Sequence, residues 1–163
     1  MSPSEHEHDF AREGSPDEFQ CACGANLWAI QTVLDEAAED ARRVAGDAYY
    51  TGCWVRQESE TLELWLCNAP TRVLLELEAI RPGIYLIHND APRPLSAIEE
   101  LSKEINFVEL KREGIDIVSH GPTVDGYIGV GVMSDVPTAQ TRFDAMFGPN
   151  VVRVREGMRA YAC

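Results

Sequence analysis

The chain has no Cys-x-x-Cys pair, no Gly-x-Ser-x-Gly elbow and no apolar run near the roughly 20 residues a membrane-spanning helix needs. These absences remove a zinc ribbon, an α/β-hydrolase nucleophile and a transmembrane anchor from the readings of the sequence. Positive charge is scarce as well: 14 Lys and Arg stand against 27 Asp and Glu, a formal net charge of -13. Phosphate backbones and anionic membrane surfaces would be repelled by such a chain, so neither nucleic acid nor membrane is an expected partner. The opening Met-Ser-Pro-Ser-Glu-His-Glu-His is acidic and polar where a secretory signal is basic and then apolar, so the chain reads as cytoplasmic, or as secreted with its leader already lost. The 5 cysteines, at positions 21, 23, 53, 67 and 163, are odd in number, and Cys53 and Cys67 are read as buried free thiols. His6-x-His8 and Cys21-x-Cys23 are soft donors at spacings unlike those of zinc knuckles, and neither a metal nor a cofactor is expected.

What is present is a globular composition, 45% hydrophobic and 25% charged, over 163 residues. Residues 1–25 hold Glu5, Glu7, Asp9, Glu13, Asp17 and Glu18 against Arg12 with no apolar period, and read as a disordered acidic arm. From Asn26, Leu27, Ile30, Val33, Leu34, Ala37, Ala41 and Val44 recur at helical spacing up to Gly46. Tyr49 to Arg56 and Thr61 to Cys67 then read as a hairpin, Leu62, Leu64 and Leu66 alternating with Glu63 and Trp65. Thr71 opens a short helix with Val73, Leu74, Leu77 and Ile80 on one face, and Ile84 to His88 is a third strand. Residues 26–88 are thus one α-β-β-α-β unit, and 89–94, with Pro92 and Pro94, a linker.

Residues 95–155 repeat the order: a helix through Leu95, Ile98, Leu101, Ile105 and Val108 to Gly114, a hairpin of Ile115 to Ser119 with Tyr127 to Val132, a helix from Pro137 to Phe147, and a strand from Val151 to Val154. Gly46 falls on Gly114, the Leu62, Leu64, Leu66 triplet on Ile128, Val130 and Val132, and Pro70-Thr71 on Pro137-Thr138. The expected fold is therefore α+β, a tandem duplication of an α-β-β-α-β unit of ferredoxin-like, split β-α-β kind with its first strand missing, followed by an extended tail over 156–163. A three-stranded sheet covered by helices on one face leaves its other face bare, and the bare faces are the natural places for partners.

Catalytic candidates are few. Ser119 and His120 are adjacent on a strand and so point to opposite faces, which separates a nucleophile from its base. Gly129-x-Gly131 lies inside a strand, where it lets another group approach the sheet closely rather than cradling a phosphate. No enzyme activity is expected.

Tyr49-Tyr50-Thr51-Gly52-Cys53-Trp54-Val55 followed by Thr61-Leu62-Glu63-Leu64-Trp65-Leu66, together with Ile117-Val118-Ser119-His120-Gly121-Pro122, Asp125-Gly126 and Ile128-Gly129-Val130-Gly131-Val132, resembles the tandem pro-regions of streptogrisin and α-lytic serine proteases and of related actinobacterial proteins that carry no protease. The likeness spans residues 26–156 and departs from that family in having His120-Gly121 where Trp-Gly is typical. It implies a folding helper or inhibitor that binds a serine protease, with the C-terminal tail entering the protease cleft and Met158 or Tyr161 offered to a specificity pocket.

The expected function is accordingly a non-catalytic protein-binding module that docks through a sheet face or a strand edge. The alternative is a small-ligand or regulatory domain that uses the cleft between the repeats, with His88 and His120 converging there.

Overall fold

The computed structural model describes residues 27–157. The acidic arm, its histidines and cysteines, and the tail residues Met158 and Tyr161 lie outside the described residues. Helix α1 (Leu27–Tyr49) leads into β1 (Tyr50–Arg56), a 3-10 turn and β2 (Thr61–Leu66); α2 (Thr71–Ile80) and β3 (Tyr85–His88) complete the first unit. The second unit comprises α3 (Leu95–Ser102), α4 (Phe107–Arg112), β4 (Ile117–Pro122), β5 (Ile128–Val132), α5 (Val136–Phe147) and β6 (Val152–Glu156). The protein is α+β, with two mixed three-stranded sheets ordered β1-β2-β3 and β4-β5-β6. No helix among the described residues is long and apolar enough to cross a membrane.

The sheets match strand for strand. In each, the first two strands are antiparallel and the third runs parallel to the second. In each, the register shifts at the same place near the start of the hairpin, between Tyr50 and Gly52 and between Ile117 and Ser119. Gly46 (φ +62) kinks α1 one turn before its end and Gly114 (φ +88) follows the end of α4, both at a positive φ that favours glycine. The crossover, however, is not split. β2 and β3 are hydrogen-bonded neighbours joined through α2, as β5 and β6 are through α5, so each unit is a hairpin fused to a β-α-β crossover with no strand between its parallel pair.

The alternation of β2 determines which face is inside. Leu62, Leu64 and Leu66 are fully buried, packed by Leu34, Ala37, Ala41 and Ala45 of α1 and by Val73 and Leu77 of α2. In the second unit Ile128, Val130 and Val132 meet Ile98, Leu110, Ala139 and Phe143. Burying each such side chain contributes about 1.5–3 kcal/mol relative to leaving it exposed. Val33, expected in the core, is exposed.

The helix expected from Leu95 to Gly114 is broken in two. The Asn106 side chain accepts a hydrogen bond from the Glu109 amide at 3.2 Å and so caps a new helix, which turns Leu110 into the core and leaves Val108 exposed. The second hairpin also runs further than expected, to Pro122, and β6 extends to Glu156, with the Gly157 amide donating to the Val132 carbonyl at 2.8 Å.

The 89–94 segment is bonded to the first unit. Asn89 closes a pair of hydrogen bonds with the backbone of Ala69, and the Ala91 amide donates to the Leu66 carbonyl. The hydroxyl of Thr51, the buried residue at the bulge of β1, donates to the Arg93 carbonyl at 3.0 Å, and Arg93 Nη1 reaches the Asn150 carbonyl. The turn between β4 and β5 presses on the first sheet: a Cβ on Gly52 would lie 2.7 Å from Val124 Cα, and one on Gly126 (φ +98) would lie 2.9 Å from Pro92 Cδ. Glycine at these two positions lets the units meet.

Candidate functional site

The faces turned away from the helices carry the two most distinctive side-chain arrays. On the first sheet the register places Gly52, Trp65 and His88 in one row and Trp54, Glu63 and Leu86 in the next, with Arg56 opposite Thr61 at the end. Glu63 is the anchor. Its Oε2 accepts from Arg56 Nε at 2.8 Å and Nη2 at 2.6 Å, and its Oε1 lies 3.0 Å from His88 Nε2. The hydrogen bonds from Arg56, with a further contribution from His88, hold the Glu63 carboxyl below the ordinary value of 4.5 against the opposing effect of burial. His88 in turn stacks on Trp65, ring centroids 4.8 Å apart and planes 19° from parallel. Around this fixed group Trp54 is 60% exposed and Leu86 53% exposed.

On the second sheet the corresponding rows are Ser119, Gly131, Arg155 and Gly121, Gly129, Arg153. Here small residues replace the tryptophans and the carboxylate, and a hollow of about 500 Å³ opens between the Ser119–Thr123 edge and the two arginines.

His88 therefore sits within the first outer face, whereas His120 pairs in register with the buried Val130 and makes an edge contact with Phe107 at 4.6 Å. Among the described residues the two histidines share no hydrogen-bond or ring partner. The depression between the units, lined by Arg42, Asp47, Tyr50, Leu95, Ser96 and Glu99, encloses about 20 Å³, and neither histidine lines it. Ser119, in register with Gly131, and His120, in register with Val130, lie on opposite faces, as strand geometry demands. Cys53 and Cys67 are free thiols, and Cys53 accepts a hydrogen bond from the Tyr50 hydroxyl at 3.4 Å. Among the described residues no cluster of His, Cys, Asp and Glu could hold a metal.

Sequence alternation had separated Glu63 and Trp65 from the leucines, but their partners Arg56 and His88 come from strand register, for which no local pattern exists. The Val152-Arg153-Val154-Arg155 alternation was a usable signal that both arginines share the glycine face. No family model, curated protein or solved structure matches this chain.

Proposed function

We propose that the protein is a non-catalytic protein-binding module whose docking surface is the outer face of the first sheet, with a chymotrypsin-like bacterial serine protease as the partner that the pro-region resemblance nominates. One observation carries the reading: Trp54 and Leu86 stand exposed on a sheet face whose polar centre, Arg56–Glu63–His88, is already internally satisfied. A preformed polar core among large apolar groups costs little to desolvate, and tryptophan and arginine dominate binding hot spots. Edge pairing is the weaker option, because β1 and β4 both carry a register shift and β4 ends in Pro122, features that blunt strand edges. The separation of Ser119 from His120 supports a role without catalysis.

The test is titration of several chymotrypsin-like bacterial serine proteases with the full chain, followed by inhibition and by calorimetry. Binding that weakens about 10-fold or more in Trp54→Ser supports the reading. A chain ending at Gly157 isolates the contribution of Met158 and Tyr161. Absence of binding to every protease removes the nominated partner, and tight binding indifferent to Trp54→Ser and Leu86→Ser moves docking away from this face.

A further inference from the structure

Helix α1 reaches further than the sheet it covers. It passes over β2 with Leu34 packed on Leu62, the second residue of that strand, so the turn before, which carries Ala29, Ile30 and Val33, projects past the strand end. Beneath it lies an apolar groove of about 250 Å³, lined by Ala29, Ile30, Val33, Leu34, Glu60 and Ile84. Val33 is accordingly 43% exposed although it belongs to the apolar stripe of the helix, whereas Leu34 is buried. The shape of the groove is fixed by polar ties. Gln57 Nε2 donates to Gln31 Oε1 at 2.6 Å, which fastens the turn before β2 to the helix, and the Glu60 amide donates to the Gln57 carbonyl at 3.2 Å.

Size and charge select the occupant. A volume of about 250 Å³ falls below the roughly 300–1,000 Å³ of small-molecule sites and suits the anchoring side chains of a peptide. The border is negative and unbalanced. Glu60 lines the groove, Glu58 stands on the same turn and Asp35 follows Leu34 on the helix; all three are exposed, and none makes an ion pair among the described residues. Arg56 and Arg81, the arginines closest in sequence to Glu60 and Ile84, are already engaged, Arg56 with Glu63 and Arg81 with Glu36 and Asp40. An apolar floor with uncompensated carboxylates at its border attracts apolar side chains flanked by positive charge. The same border repels the chain's own arm, where Phe10 and Phe19 lie among Asp9, Glu13, Asp17 and Glu18, and a second copy of a chain of net charge -13.

We propose that this groove docks a basic peptide segment of a partner protein, whose apolar side chains enter between α1 and Ile84 while flanking lysines or arginines meet Glu60, Glu58 and Asp35. It lies on the helix side of the first sheet, away from Trp54 and Leu86, and stands independently of the docking face proposed above. The probe is the capped hexapeptide Lys-Lys-Leu-Phe-Lys-Lys, titrated into the isotopically labelled full chain while backbone amide resonances are followed. Saturable shifts are expected at Ile30, Val33, Glu60 and Ile84. Lys-Lys-Ser-Ser-Lys-Lys, which keeps the charge, and Glu-Glu-Leu-Phe-Glu-Glu, which keeps the apolar pair, should each bind about 10-fold or more weakly. Val33→Gln and Glu60→Lys should each weaken the probe about 5-fold or more, and both side chains are exposed, so neither variant disturbs the core. No saturable shift at these residues, equal affinity for either control peptide, or a Val33→Gln variant that binds as the parent does would overturn the proposal. Shifts of the same amides without peptide would overturn it too: in a chain carrying both Phe10→Ser and Phe19→Ser they would assign the groove to the arm, and on dilution of the parent chain to a second copy.

Discussion

Gly52, Trp65 and His88 in the first sheet occupy the places of Ser119, Gly131 and Arg155 in the second, and Trp54, Glu63 and Leu86 those of Gly121, Gly129 and Arg153. The inner faces of the same strands hardly differ, Leu62, Leu64 and Leu66 answering to Ile128, Val130 and Val132, all buried. Core packing confines one side of each strand to apolar residues of similar volume, whereas the other side is a furnished surface in one unit and a glycine-rich one in the other. Specialisation in this molecule is a property of outward-facing positions on a shared frame.

The largest expected effect lies where the units are alike. Phe143→Ala should cost about 3–5 kcal/mol, since Phe143 is fully buried in the second core. All three tryptophans, at positions 28, 54 and 65, lie in the first unit, so their fluorescence reports that unit while far-ultraviolet circular dichroism reports both. The close contacts of Gly52 and Gly126 across the units lead to coincident shifts of both signals in a urea titration. A fluorescence transition left at the parent midpoint would show that the units unfold separately.

A smaller effect distinguishes two glycines on equivalent hairpins. Gly52→Ala brings a methyl against the Val124 backbone and should cost about 1–3 kcal/mol, whereas Gly121→Ala meets open space and should change stability by less than about 0.5 kcal/mol. Similar losses at both positions would mean that the turn between β4 and β5 does not press on the first sheet.

Acid should separate the faces as well. Glu63 is held below 4.5, so its contribution is present in full above that pH and is lost as the pH falls through the lower folded value. Protonation releases Arg56 and His88, and the Trp65 emission should change in that acid range. Glu63→Gln should abolish this acid-range step. A step that persists in Glu63→Gln would assign it to another group. Smallest of all is the effect of Trp54→Ser on folding, expected within about 0.5 kcal/mol because the side chain is exposed.

Much of the frame was legible in the residues. The leucine triplet, the stopping glycines and the proline pairs placed ten of the helices and strands in order, because burial imposes a period and positive φ selects glycine. Strand order was not legible, since a split and an unsplit crossover have the same element order and differ only in which strand lies between. The broken helix turned on Asn106, whose side chain competes for backbone amides inside an otherwise unbroken apolar period. The Arg56–Glu63–His88 group needed a bulged hairpin register and a parallel pairing spanning 25 residues, and the second hollow is made of side chains that are absent.

Binding of a chymotrypsin-like serine protease to the parent chain, to Trp54→Ser and to Gly121→Leu tests most directly whether docking belongs to the first outer face. Trp54→Ser is expected to weaken the complex about 10-fold or more and Gly121→Leu to leave it within about 2-fold. Equal losses in the two variants, or no binding by the parent chain, would contradict the account.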